Sequence, residues 1–382
     1  MQPSEFKQGM HGRIVQAQKG YWAYVPNPLE PLLDLDVHLV RKLAEAERSL
    51  GELAGVARTL PNPHLLIGPF LRREAVLSSR IEGTRASLSD LLFFEAAQLR
   101  EKEVPDVREV SNYVTAMEYG LRRLSELPIS LRLIREIHEK LMAGVRGEHK
   151  TPGEFRRSQN WIGPSGCTLL DATYVPPPVP EMKEALDSLE KYLHTRSKYP
   201  SLIRLALIHY QFEAIHPFLD GNGRVGRLLT TLLLCAEGLL PQPLLYLSAY
   251  FERHREKYYD FLLAVSRRGN WNQWVLFFLD AVATQSGDAI QRSDQLLALW
   301  QKYRERMQVA RASALLLQLV DELFAYPVIT NRIISEKLSI TPRSAQMNIE
   351  KLISSEILQE ATGKQRNRVY VVPGIISIID RP

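Results

Sequence analysis

The stretch that most constrains this chain is residues 216–227, His-Pro-Phe-Leu-Asp-Gly-Asn-Gly-Arg-Val-Gly-Arg. An amphipathic run leads into it, with Leu202, Leu205, His209, Phe212 and Ile215 recurring at helical spacing. An almost wholly apolar run, 225–236, follows and reads as a buried helix. The glycine-rich turn between them puts Gly221, Asn222 and Gly223 where a helix begins. There the first N–H groups lack intrahelical acceptors and the helix dipole is positive. Such a start binds anions, and glycine lets a phosphate approach the backbone closely.

The neighbouring side chains fit the same chemistry. Arg224 and Arg227, three apart, share a helix face that can point at a polyphosphate. Asp220 offers a hard oxygen to Mg²⁺, an ion that usually takes one or two carboxylates plus substrate phosphates. His216, just before the turn, can take a proton from an attacking hydroxyl near neutral pH. Each part alone has a plainer reading: a loop, a structural histidine, a solvated pair of arginines. The combination at this spacing is what carries weight.

The pattern His-x-Phe-x-Asp-Gly-Asn-Gly-Arg-x-x-Arg resembles the signature of the Fic family, whose best-described activity transfers AMP from ATP to a protein hydroxyl. The resemblance extends to Tyr21-Trp-Ala-Tyr-Val-Pro-Asn-Pro, Ser78-Ser-Arg-Ile-Glu-Gly-Thr, Pro152-Gly-Glu-Phe-Arg-Arg-Ser-Gln-Asn-Trp-Ile-Gly and Ala172-Thr-Tyr-Val-Pro-Pro-Pro upstream. Downstream it takes in Tyr250-Phe-Glu, Tyr258-Tyr259 and Asn270-Trp-Asn-Gln-Trp, so that it runs from residue 12 to residue 285. It implies that a target Ser, Thr or Tyr hydroxyl attacks the α-phosphate of ATP, with His216 as base and Asp220 holding Mg²⁺. The nucleotide would lie on Gly221, Asn222, Gly223, Arg224, Val225, Gly226 and Arg227, with Tyr259 on the adenine side. Kinase relatives carry Lys where Gly223 stands, so glycine favours nucleotidyl transfer.

Ser78 and Glu82 are a hydroxyl and a carboxylate one turn apart at a helix end that Gly83 stops. A carboxylate gains nothing from the negative end of a helix dipole, so Glu82 needs a cationic partner elsewhere or is simply solvated. The resemblance implies an inhibitory helix, with Ser78, Glu82 and Gly83 set against Arg227. It also implies a flap, in which Thr173, Tyr174, Val175 and Pro176 line the substrate side and hold a target peptide by its backbone.

The expected fold is mainly α: a Fic-type helical core with a β-hairpin flap, plus a C-terminal winged-helix domain. Residues 1–30 read as an extended arm. Helical patterns follow at 35–57, 68–81, 88–102, 107–126 and 131–143, with a Pro-Asn-Pro break at 61–63. In the Gly- and Pro-rich stretch 147–180, two short strands, 160–162 and 172–175, flank a Gly-Pro-Ser-Gly turn. Helices at 180–198 and 202–215 lead to the motif, and a connecting helix occupies 289–307. The domain reading is 1–110, a helical N-terminal region with the inhibitory helix near 68–83; 111–285, the Fic core; 286–309, a connector; and 310–382, winged-helix-like.

In that last unit Thr341-Pro342 is a strong helix start, and Ala345, Ile349, Leu352 and Ile353 form the buried stripe. Arg343, Lys364, Arg366 and Arg368 can meet DNA phosphates. Nine basic against seven acidic side chains in 311–382 leave a DNA-free interaction module equally open.

Forty-eight basic against 43 acidic residues is too small an excess to argue nucleic-acid binding for the whole chain. Cys167 and Cys235 make no disulfide framework or metal spacing. No signal region and no membrane-length apolar run is visible, so a cytoplasmic protein without a membrane partner is expected. The partners expected are ATP with Mg²⁺ and a target protein, the chain itself included; a homodimer stays open. So do three other functions: removal of AMP with Glu82 orienting a water, transfer of another nucleotide such as UTP, and a DNA-binding regulator whose core senses nucleotide.

Overall fold

The computed structural model describes residues 1–9, 11–17, 20–59, 63–97, 105–145, 149–309 and 313–381. Residues 61–62 of the Pro-Asn-Pro break, 98–102 of the third expected helix, 147–148 of the Gly- and Pro-rich stretch and the 310 boundary lie outside that set. The architecture is mainly helical, as its patterning demands.

The N-terminal arm is a correction. It holds an antiparallel hairpin, β1 (Gly12–Gln16) and β2 (Trp22–Pro26), with Ile14 opposite Tyr24. Aromatic residues mask the alternation there: Ala23, Tyr24 and Val25 are all buried, because both faces of β2 are covered.

The core comes next. α1 (Val37–Thr59) lies along the last long helix, tied by Lys42 Nζ to Asp280 Oδ1 at 2.7 Å. α2 (His64–Ile81) starts four residues before the expected Gly68 and carries Pro69 inside it. Burial of Leu65, Leu66 and Phe70 outweighs the helix-breaking residue. α3 (Leu88–Ala97), α4 (Pro105–Arg123), α5 (Leu131–Leu141) and α6 (Val179–His194) follow. α7 (Ser201–Ile215) and α8 (Asn222–Ala236) run through the middle and are buried on nearly every side, with α4 and α5 against α8 and α6 against α7. Trp274, fully buried on the last long helix, donates its indole N–H to the Ala206 carbonyl at 2.8 Å and stacks on His209, locking α7 to that helix.

α9 (Ser248–Arg253) and α10 (Arg255–Arg268) lead to α11 (Trp271–Val309), 39 residues without a break. The stretch expected as a separate connector is therefore the second half of a helix that begins in the core. No proline or glycine-rich turn interrupts it, and Ala289, Leu296, Tyr303 and Met307 keep one face buried.

The C-terminal unit comprises α12 (Ala314–Ala325), β3 (Val328–Thr330), α13 (Asn331–Lys337), α14 (Pro342–Ser354), β4 (Gln359–Glu360), β5 (Val369–Val371) and α15 (Pro373–Ile379). Its sheet order is β3-β5-β4. Thr341 caps α14 by accepting the Ser344 N–H. Ala345, Ile349 and Leu352 are buried, but Ile353 is 37% exposed, one position too far round the helix for the stripe assigned to it. The unit packs on the core through α2, where Arg72 lies over the Tyr326 ring.

Candidate active site

The site is framed by two left-handed residues. α7 ends at His216 (φ 49°), and α8 is entered through Gly221 (φ 75°). A side chain at Gly221 would be strained there and would press on Met142 Sδ. His216 has no such freedom, and its backbone is held from outside. Arg156 Nε and Asn160 Nδ2 both donate to its carbonyl, at 3.0 and 3.1 Å, and Asn160 also donates to Phe218 O at 2.8 Å. Arg156 is 1% exposed and spends its other nitrogens on the Pro177 and Ser158 carbonyls. Burial draws its pKa down to about 10, so it is still charged at neutral pH.

Asn222 closes the turn from within. Its Nδ2 donates to Phe218 O and its Oδ1 accepts the Phe218 N–H, both at 2.8 Å. That side chain is a loop staple, and only the backbone of Asn222 is left to meet a ligand. The first helical bond of α8 runs from Val225 N to Gly221 O at 3.0 Å, so the N–H groups of Asn222, Gly223 and Arg224 precede the helical ladder. The Val225 side chain is buried in the core, away from this opening.

The His216 ring keeps Nδ1 at 3.2 Å from Glu213 O, which places the ring proton on Nδ1 and leaves Nε2 with a lone pair. Burial lowers its pKa to about 4, so the imidazole is neutral at physiological pH. A second histidine lies beneath the turn. His138 accepts the Gly153 N–H on Nδ1 at 2.9 Å, so its Nε2–H donates to Asp220 O at 3.1 Å, and its ring stacks on Phe218 at 3.7 Å.

Asp220 meets Lys150 Nζ at 3.0 Å through Oδ2 and the Gly221 N–H at 2.7 Å through Oδ1. Burial opposes its charge, but Lys150 and Arg224 prevail and hold the carboxyl below its ordinary range. No group of three or more His, Cys, Asp or Glu able to hold a metal occurs among the described residues. One carboxylate already balanced by cations fits a Mg²⁺ ion that arrives with a polyphosphate, and does not fit a resident ion caged by protein.

The two arginines point to different neighbours. Arg224, 3% exposed, reaches Glu109 Oε2 at 3.3 Å and Asp220 Oδ1 at 3.7 Å. Arg227, also 3% exposed, donates through Nε to Ser78 Oγ (2.9 Å) and through Nη2 to Ser78 O (2.9 Å) and Glu82 Oε1 (2.7 Å). The cationic partner that the helix-dipole argument requires for Glu82 is thus Arg227. Burial works against the Glu82 charge, and Arg227, Arg224 and His216 lower its pKa nonetheless. Glu82 lies so close above Gly223 that a methyl group there would collide with Oε1 and with Arg227 Nη1.

His216, Glu82, Gly223 and Arg227 line a cavity of about 520 Å³. Tyr259, Leu262, Leu263 and Ile162 contribute apolar surface to its wall. Tyr258 is buried, with its hydroxyl at 2.8 Å from His209 Nε2, while its neighbour Tyr259 is 40% exposed on the cavity wall.

The flap is smaller than expected. In place of two strands there is a single bridged pair, Ile162 and Tyr174, joined by hydrogen bonds of 2.8 and 3.0 Å. Thr173 and Tyr174 line the cavity, but Val175 and Pro176 do not. The Val175 carbonyl accepts from Tyr24 N at 2.9 Å and the Pro176 carbonyl from Gln159 Nε2 at 2.9 Å. Those carbonyls are taken by β2 and by the flap itself, and Trp161, Ile162 and Gly163 line the cavity with Thr173 and Tyr174.

Sequence reading missed Arg156, Asn160, His138, Lys150, Glu109 and Glu213. The Pro152–Gly163 stretch signals the first two, but nothing local says that a buried arginine holds a histidine 60 residues away.

Two family profiles match this chain: one described as Fic/DOC family N-terminal over residues 40–122, and one described as Fic/DOC family over residues 128–234. Among curated proteins it is similar to the protein adenylyltransferase Fic of Aedes aegypti, 31% identical over 47% of this chain and 33% of that one. The Drosophila ananassae protein of the same name is 30% identical over the same shares. The chain thus spans about a third of the length of the curated relatives it matches. Among solved structures, a Fic family protein from Desulfovibrio desulfuricans G20 superposes with a TM-score of 0.56 at 19% identity, covering 91% of this chain and 99% of the other. At that identity the likeness speaks for the fold.

Proposed function

From the premise that this chain belongs to the Fic/DOC family, we propose that it transfers AMP from ATP to a Ser, Thr or Tyr hydroxyl of a protein. One observation carries the reading: a neutral His216 with a free Nε2 and the N-terminus of α8 open on the same cavity.

The target oxygen attacks the α-phosphorus while its proton passes to His216 Nε2. The bond from the α-phosphorus to the bridging oxygen breaks, and pyrophosphate leaves toward the Gly221–Arg224 backbone. Arg224 and Arg227 offset the charge that develops on the leaving group. Asp220 would hold Mg²⁺, which when bound neutralises phosphate charge. The rate enhancement comes mainly from placement, and the clamp on the His216 carbonyl supplies it on the protein side. Tyr259 and the leucines of α10 would take the adenine, and the Trp161–Gly163 side of the flap the target peptide.

Glu82 acts as a latch in this reading. While it holds Arg227, that arginine is withheld from the γ-phosphate and ATP binds with its α-phosphate out of line for attack. The position of Glu82 over Gly223 also favours a second reading, in which Glu82 orients a water that removes AMP from a modified protein. The C-terminal unit is proposed as a winged helix; Arg343, Lys364, Arg366 and Arg368 are all exposed on it. Incubation with ATP radiolabelled at the α-phosphorus and with cell lysate tests transfer. Label in protein supports it, release of AMP from a modified protein supports removal, and neither outcome with any nucleotide rejects both.

A further inference from the structure

Glu213 stands one turn before His216 on α7 and lines the same cavity. Neither the phosphate machinery nor the latch uses it. It has no cation within salt-bridge distance among the described residues, although Arg227 is close enough to influence it. Arg227 is turned instead to Glu82 and Ser78. Glu213 Oε1 is sealed from solvent without a hydrogen-bond partner. It presses on α8 at Gly226, so closely that any side chain there would collide with it.

A carboxyl oxygen left in this state destabilises a fold unless something else makes use of it. Burial, reinforced by the Glu82 charge and only partly offset by Arg227, raises its pKa to about 8. It is therefore a protonated acid at neutral pH, able both to donate and to accept a hydrogen bond.

The chemistry of the lining indicates its partner. Glu213 shares the cavity with the anion-site residues His216, Gly223 and Arg227 and with the apolar Tyr259, Leu262 and Leu263, and it contacts α8 at Gly226, one turn beyond Gly223. Of the parts of a bound nucleotide, the phosphates suit the cations and the base the apolar lining, and the sugar hydroxyls are the groups that suit a neutral carboxyl. We propose that the Glu213 carboxyl recognises the sugar of the nucleotide, exchanging hydrogen bonds with a ribose hydroxyl. This rests on the nucleotide-transfer reading and names the part of the substrate that the site selects. A site built to pair a hydroxyl rejects the analogue lacking it, because its own buried group is then left unpaired.

The test is calorimetric binding of ATP, 2′-deoxy-ATP and 3′-deoxy-ATP to wild type, Glu213→Gln and Glu213→Ala. Wild type is expected to bind ATP about tenfold tighter than one of the two deoxy forms, at about 1.4 kcal/mol per decade. Glu213→Gln, a neutral donor and acceptor, keeps most of that preference, and Glu213→Ala binds all three alike. Equal affinities in wild type overturn the proposal, as does a preference that survives in Glu213→Ala. If Glu213→Ala does not fold, Glu213→Met, apolar and of similar length, takes its place with the same expected loss of preference. Binding of no nucleotide at all by wild type overturns the transfer reading and this proposal together; binding without sugar preference overturns this one only.

Discussion

Arg227 donates to Glu82 at 2.7 Å across 145 residues of chain, from a helix in the core to the end of a helix in the N-terminal region. The arginine side is 2% exposed and the glutamate side 36%, so the pair is closed on one face and reachable from the other. Arg227 Nη1 is buried with no partner among the described residues, a donor waiting beside Gly223.

That geometry predicts activation by Glu82→Gly. A charge-assisted hydrogen bond contributes about 1.5–3 kcal/mol, and solvent around Glu82 puts this one at the lower end. Its loss is expected to raise AMP transfer about tenfold, at about 1.4 kcal/mol per decade. Arg227→Ala removes the phosphate ligand together with the latch and stays slow, as does the double variant. Transfer by Glu82→Gly no faster than wild type at saturating ATP rejects the latch, and loss of an AMP-removing activity makes Glu82 a catalytic residue.

His216 predicts the pH profile. Its pKa is lowered to about 4, so the neutral form prevails at every pH above that value. The acid limb of kcat/KM, which reports the free enzyme, should fall near pH 4 rather than near the ordinary histidine value. A limb near 6.5 assigns the base elsewhere. His216→Ala should lose about 10²–10⁴ in rate with ATP binding nearly intact.

Asn160→Ala tests the backbone clamp. It removes the donor shared by His216 O and Phe218 O, while Arg156 and Asn222 still reach those carbonyls. A stability loss of about 1 kcal/mol is expected. Transfer should fall about tenfold with KM for ATP unchanged, because the base and not the nucleotide is displaced. A change in KM alone contradicts this.

Lys150 predicts metal dependence. It occupies Asp220 Oδ2, so Lys150→Ala frees the carboxylate and should lower the Mg²⁺ concentration needed for half-maximal ATP binding. Asp220→Ala should abolish the Mg²⁺ effect. Titration of both variants by calorimetry decides, and an unchanged Mg²⁺ effect in Asp220→Ala places the metal elsewhere.

The proposal of a winged helix in the C-terminal unit is tested by salt-dependent DNA binding, against a DNA-free interaction module. Replacing Arg343, Lys364 and Arg366 should weaken binding and flatten its dependence on salt, by about one unit of slope for each phosphate no longer neutralised. Absence of any shift by wild type with genomic fragments at low salt favours a protein-interaction module.

Much of the fold is legible in order and type of element, because apolar periodicity records which helix face is buried. Element ends are harder to read: α2 begins before Gly68 because tertiary burial of Leu65 and Leu66 overrides Pro69. The hairpin Gly12–Pro26 is hidden because β2 is covered on both faces and loses its alternation. The flap strands shrink to one bridge, and the Val175 and Pro176 carbonyls go to Tyr24 and Gln159, partners that no local pattern announces.

The sequence by itself determined the chemistry of the turn. Glycines, a carboxylate, a histidine and two arginines at fixed spacing on one helix start need no distant partner to mark a candidate anion site, because their geometry is local. Only the tertiary structure decided what that site does at rest. Glu82 over Gly223, Lys150 on Asp220, Arg156 on the His216 carbonyl and the unpaired Glu213 all arise where separate helices meet. Their charges and protonation depend on desolvation, which is a property of the packed interior and is written in no single stretch of chain.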